Sequence, residues 1–312
     1  MLSRRNIRIK VMQVLYAMSR DSELTKQQAT KLYRQSINKS YELYLFNLLQ
    51  FLKVAEYAKE DYKRRQSKLR PSDEDKKFKP LLFENPLIQS LVENPGLQQQ
   101  FRKFHLNERI NDDNTRLLYN DFAKTEAYQE LINPKENSFE FYRKVLLQLY
   151  KACTSSEHFT DLMEDHYMSW IDDKSLVVGA MKKTIKALPA EGDFYNEHFP
   201  DSEAVTEFGE HLLQEVIDRN DEFLKIIEPT LKNWDADRLA VIDMILLKMA
   251  LCELLDFPTI PTKVTLNEFV EISKTYSTPK SKDFINGILD KLMKKLNSEG
   301  KIVKEGRGLI DE

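Results

Sequence analysis

Residues 281–296 read SKDFINGILDKLMKKL. Phe284, Ile285, Ile288, Leu289, Leu292, Met293 and Leu296 recur at three- and four-residue spacing, which predicts a helix with one apolar face. Asn286 and Gly287 sit in its second turn. A glycine inside a helix costs about 1 kcal/mol relative to alanine, and Asn-Gly ordinarily signals a turn. A helix that keeps this pair is expected to recover the cost through a contact.

The rest of the chain is written in the same style. Only 8 of 312 residues are glycine, and Leu, Lys, Glu and Gln dominate between short breaks, without long strand-type alternation. An all-α protein is predicted, long enough for one large domain or two ordinary ones. The net charge of −3 does not mark a bulk nucleic-acid binder, so any such activity has to rest on a local basic patch. Cys153 and Cys252 lie in apolar helical surroundings without metal-ligand spacing, as buried thiols of a reducing compartment do. The N-terminal MLSRRNIRIKVMQVLYAM is basic, then apolar. Gln13 breaks the apolar part and no small-residue cleavage site follows, which argues against a secretory signal, while a transit peptide would share this basic, amphipathic character. No stretch is long enough to cross a membrane, and a cytoplasmic location is expected.

A first helix over residues 5–19 is predicted to bury Ile7, Val11, Val14, Leu15 and Met18, with a weaker second stripe of Ile9, Met12 and Tyr16 nearly opposite. A long aromatic-rich helix is expected over 31–59. The charged run KRRQSKLRPSDEDKKFKP (63–80) reads as a solvated helix end and linker, or more sharply as an auxiliary phosphate patch at Lys63, Arg64 and Arg65. Shorter helices fill 81–135, residues 139–186 are helical again, and ALPAEGDFYNEHFPDSE (187–203) is the clearest boundary. Beyond it, helices are predicted over 204–217, 221–233, 235–256 and 266–276, with Thr265 and Glu268 at capping-box spacing. The stretches starting at Glu157 and Asp221 align without a gap, pairing Trp170 with Trp234 and Asp173 with Asp237. They suggest a degenerate duplicated subdomain.

Motifs of catalysis are missing from the sequence. There is no Walker loop, dinucleotide fingerprint or nucleophile elbow. His158 and His166 stand among acids without an HExxH spacing, so they read as a solvated face and no metal is expected. Cys252, flanked by MAL and ELL, reads as core. A non-enzymatic binding protein without cofactor remains, with a basic entry at Arg4, Arg5 and Arg8 where a helix N-terminus already favours anions. Tyr16, two turns further on, has a ring suited to stacking on an unpaired base.

Two stretches carry a resemblance. RRNIRIKVMQVLY, through Arg4, Arg5, Arg8, Gln13, Leu15 and Tyr16, resembles the opening helix of the NusB family of transcription antitermination factors. IPTKVTLNEFVEISKTYSTPKSKDFINGILDKL resembles that family's most distinctive region, with Pro261, Asn267, Glu268, Phe284, Asn286, Gly287 and Asp290 on its pattern. VIDMILLKMALCELL (241–255) is similar to the helix before it. The resemblance covers residues 1–20 and 202–297 as a NusB-like, RNA-binding helical domain, leaving 21–201 as a helical insertion after the first helix and 298–312 as a C-terminal tail. It implies binding of boxA RNA of ribosomal RNA transcripts together with NusE, within an RNA polymerase antitermination complex. Some members dimerise through the surface others use for NusE, so a homodimer stands beside these partners. Carried over, the RNA-binding residues are Arg4, Arg5, Arg8, Tyr16, Tyr276, Lys280 and Phe284. Gly287 would admit a close neighbouring helix and Asn286 would bond its backbone, holding the first helix so that both ends face one surface.

Four positions depart from the family pattern. Asn6 replaces an arginine and removes a phosphate contact. Ser277 replaces a glycine, which would strain a left-handed backbone by about 1 kcal/mol. Pro279 and Lys280 replace an acidic pair, and Asp283 replaces a basic residue. The alternative reading is a NusB-like protein–protein module that has lost specific RNA binding. The NusB-like domain of ribosomal RNA methyltransferases is set aside, because no Gly-rich strand–turn–helix accompanies it.

Overall fold

The computed structural model describes residues 2–134, 136–231 and 240–311. The described residues are helical throughout, without strands, and the chain forms two compact units. No described helix is long and apolar enough to cross a membrane.

The terminal unit comprises Leu2–Ile37 and Pro200–Glu312. It contains α1 (Arg4–Arg20) and the start of α2 (Lys26–Gln66). The central unit, Asn38–Phe199, takes the remainder of α2 and then α3 (Asp73–Lys77), α4 (Leu81–Glu84), α5 (Pro86–Val92), α6 (Pro95–Lys103), α7 (Asp112–Ala123), α8 (Glu126–Ile132), α9 (Phe139–Ser155), α10 (Glu157–His166) and α11 (Trp170–Ala187). The terminal unit resumes with a π-helical stretch, Glu203–Glu210, followed by α12 (His211–Asp218), α13 (Asn220–Ile227), α14 (Val241–Asp256), α15 (Thr262–Tyr276) and α16 (Ser281–Ser298).

α2 has 41 residues and is about 60 Å long. Its first part offers Ala29, Tyr33 and Ile37, spaced four apart, to the terminal core. From Tyr41 to Ala58 it is buried nearly all round, as a helix at the centre of a unit must be. The division between units therefore falls inside this helix, between Ile37 and Asn38, whereas the N-terminal resemblance ends at residue 20. The other division, Phe199/Pro200, lies within the 187–203 stretch.

Several cations of the basic run at the end of α2 are paired. Lys63 bonds Glu60, Arg64 and Arg65 both bond the buried Asp61, and Lys68 bonds Asp75. These pairs favour the reading of a solvated helix end over that of a phosphate patch. The thiols also behave as core: burial pushes Cys153 up to about 12 and raises Cys252 further.

The capping expectation for α15 is corrected. This helix starts at Thr262 behind Pro261, one turn earlier, because proline presets its first turn. Thr265 is buried and donates instead to Glu253 Oε1 at 2.7 Å. In the repeat-like pairing, Trp234 and Asp237 lie outside the described residues, as do the end of the 221–233 helix and the start of the 235–256 helix.

Candidate nucleic-acid interface

α1 begins with a capping box in which Ser3 Oγ accepts from the Asn6 N–H at 3.3 Å and Asn6 Oδ1 accepts from the Ser3 N–H at 3.3 Å. Asn6, read in the sequence as a lost phosphate contact, thus fixes the helix start that carries Arg4 and Arg5. Arg4 is exposed, with its guanidinium 5.5 Å from the Phe208 ring centre. Arg5 donates through Nε and Nη2 to both oxygens of Glu268 at 2.8 and 2.7 Å, with its side chain 50% exposed. This fork raises Arg5 above its ordinary range and holds Glu268 below the usual carboxylate range, with Arg8 adding to the latter.

Arg8 is different. It is buried, donates in bidentate fashion to the buried Glu253 at 2.7 Å on each arm, and lies 5.1 Å from the Phe208 ring. A guanidinium so enclosed cannot meet a phosphate, and the sequence assignment of Arg8 as an RNA contact is corrected to a tie between α1 and α14. Phe284 is corrected likewise: it is 5% exposed and belongs to the core face of α16. The sequence did mark Glu253, as the one acid inside the apolar run MALCELL. A carboxylate there needs a buried cation, and Arg8 supplies it.

Asn286 and Gly287 are both exposed, and a Cβ on Gly287 would meet no heavy atom within 4 Å among the described residues. The expected close helix contact is therefore not made. The physical reason is periodicity: Ile285 and Ile288 are on the core face, and the two residues between them point away from it.

Ser277 is also corrected. Its φ of −123° and ψ of −164° are extended, so serine is unstrained there. Its hydroxyl donates to Asp243 Oδ1 at 2.6 Å, and Ser281 Oγ donates to Asp243 Oδ2 at 2.7 Å. This buried carboxylate of α14 clamps the α15–α16 turn bearing the exposed Lys280. Glu271 is held below the usual carboxylate range chiefly by Lys274, with Arg5 and Lys282 contributing. Arg5 of α1 and Lys282 of α16 thus both act on this carboxylate of α15.

Arg4 and Arg5 line a groove of about 580 Å³ with Thr259, Pro261, Val264 and Glu268, which the buried Arg8 borders. Tyr16 stands outside it, about 18 Å along α1 from Arg4. Its ring is covered by Arg20 at 5.2 Å, and Arg20 Nε donates to its hydroxyl at 3.2 Å. Tyr276 is half-buried against the terminal core. Met12, assigned by sequence to the second stripe of α1, is buried in that core, while Met18 is only half-buried. No group of metal-ligating side chains occurs among the described residues.

Comparison with known proteins adds the following. The profile described as NusB family matches residues 175–294, starting within α11. Transcription antitermination protein NusB of Salinibacter ruber is 45% identical over 104 residues, which are 33% of this chain and 65% of that protein. The NusB of Chloroherpeton thalassium is 47% identical over 79 residues, 25% of this chain and 37% of the relative. That of Desulfatibacillum aliphaticivorans is 34% identical over 113 residues, 36% of this chain and 79% of the relative. The chain thus spans under two thirds of the length of the first two relatives. No solved structure matches it.

Proposed function

The chain belongs to the NusB family, and on that footing we propose that it is a non-enzymatic, cytoplasmic transcription antitermination factor that binds boxA-type RNA together with NusE. The observation that carries this reading is the Arg5–Glu268 fork. It anchors the open N-terminus of α1 to α15 while half of the arginine stays exposed. Exposed Arg4, the anion-favouring helix start and Lys280 on its clamped turn complete a small positive surface on a chain of net charge −3. Tyr16 and Tyr276 are the candidates for base stacking. RNA polymerase is the expected larger partner.

The second reading, a protein–protein module, is favoured by one observation: Arg8 and Asn6 serve the fold, leaving few cations for phosphate. The two readings separate in a binding titration of boxA and scrambled RNA, with and without NusE, across salt. The RNA reading expects a boxA preference strengthened by NusE. It also expects Arg5→Ala to weaken binding and to reduce the salt slope by about one. Indifference to boxA under every condition rejects it.

A further inference from the structure

Lys304, beyond the last α-helix, is only 7% exposed. A buried ammonium needs acceptors. It finds them at the C-terminal end of α14, where the last carbonyls of a helix lack partners within it. Its Nζ donates to the Phe257 carbonyl at 3.0 Å and lies 3.5 Å from that of Glu253. Burial lowers the Lys304 pKa, and the Glu253 carboxylate opposes that shift. Glu253 thus lies among groups from three parts of the chain: the Arg8 fork, the Thr265 hydroxyl and the Lys304 ammonium.

The residues around Lys304 are strapped to the connection between α14 and α15. Gly300, with a φ of 65°, turns the chain back at the end of α16, and the Lys301 N–H donates to the Leu296 carbonyl at 2.9 Å. Ile302 then packs on the terminal core. The Glu305 N–H donates to the Pro258 carbonyl at 3.0 Å, and a Cβ on Gly308 would stand 2.0 Å from the same oxygen. The Phe257 carbonyl also accepts from the Ile260 N–H at 3.2 Å. The tail therefore holds two successive carbonyls of a connection whose next residues, Thr259, Ile260 and Pro261, line the groove with Arg4 and Arg5. No described tail residue lines that groove, and the tail's four acids outnumber its three bases.

We propose that Lys304 is a positioning residue for RNA binding: the tail straps the Phe257–Pro261 connection so that its side of the groove keeps the spacing from Arg4 and Arg5 that receives a nucleotide. This role rests on the RNA reading. Arg8 ties the α1 side to Glu253, and Lys304 ties the connection to the same end of α14. Both sides of the groove are thus referred to one buried carboxylate. The tail acts through geometry, since it brings no net positive charge to the surface.

The test is titration of labelled boxA RNA with the full chain and NusE across salt, for the unmodified protein, Lys304→Met, Lys304→Arg and Gly308→Ala. Lys304→Met should weaken binding about tenfold. Its stoichiometry and salt slope should stay unchanged, since a buried ammonium neutralises no phosphate. Gly308→Ala lifts the strap without altering charge and should weaken binding similarly, while Lys304→Arg should restore most of the affinity. Hydrogen exchange at the Ile260 amide should accelerate in both weak binders and stay slow along α16. A boxA preference in the unmodified chain, with Lys304→Met and Gly308→Ala binding as tightly as it does, overturns the proposal and leaves the RNA reading standing. A shallower salt slope in Lys304→Met, which marks a phosphate contact, also overturns it. So does reduced stoichiometry at unchanged affinity, which marks plain unfolding. Absence of any boxA preference in the unmodified chain rejects the RNA reading itself, and the proposal with it.

Discussion

The terminal and central units place their charges differently. In the terminal unit, forked ion pairs join residues far apart in sequence: Arg5 to Glu268, Arg8 to Glu253 and Arg34 to Glu210. In the central unit most ion pairs are one helical turn long, such as Lys59–Glu56, Lys63–Glu60 and Arg64–Asp61, with Arg109–Glu42 an exception. Its long-range cohesion comes from rings, with Phe159 set edge-on between Tyr150 and Trp170 and Phe51 against Tyr150. Both units have apolar cores, but long-range forked ion pairs add to the ties of the first and edge-on rings to those of the second. The first kind of contact is geometric and pH-sensitive, the second volume-sensitive.

The contrast is broken forcefully at Glu253. Glu253→Ala takes from buried Arg8 its forked partner and leaves only Glu268, 3.7 Å away and shared with Arg5, and should destabilise the terminal unit by about 3 kcal/mol. Hydrogen exchange should then accelerate in α1 and α14 before it does in α9. Phe159→Ala should do the reverse, costing about 3–4 kcal/mol and releasing α9 and α11 first.

A pH-dependent effect refines the picture. In the central unit His198 is buried, its Nε2 3.0 Å from Thr184 Oγ1, and burial lowers its pKa to about 4. The unfolded chain takes up a proton near pH 6.5 and the folded one does not. Stability is thus full above about pH 6.5 and declines as pH falls towards 4, by about 3 kcal/mol. A His198→Gln variant should flatten that slope in urea titrations. Smallest of all, Lys63→Ala should change stability by less than about 0.5 kcal/mol, since exposed pairs of this kind contribute little.

Much of this was legible in the sequence, and the lapses have physical causes. Helix content and the apolar face of α16 followed from spacing. The same spacing places Gly287 off that face, so its exposure could have been read where a helix contact was expected instead. Arg8 could not be separated from Arg5 by local pattern, because burial is decided by Glu253, 245 residues away. Phe284 sits on the apolar periodicity, and that signal outweighs the functional role suggested by resemblance. At Ser277 local sequence suggests a glycine's backbone requirement, yet the carboxylate that holds the serine lies on α14.

The ion pairs of the terminal unit also set an order of events during synthesis. α1 leaves the ribosome first, but the acids that hold it are encoded roughly 250 residues later. At about 5–20 residues per second, the opening helix waits roughly 10–50 s for Glu253 and Glu268 to emerge. The central unit, contiguous from Asn38 to Phe199, can finish folding in that interval. A nascent chain stalled near residue 230 would therefore present a completed central unit and an α1 whose arginines have not yet met their carboxylates.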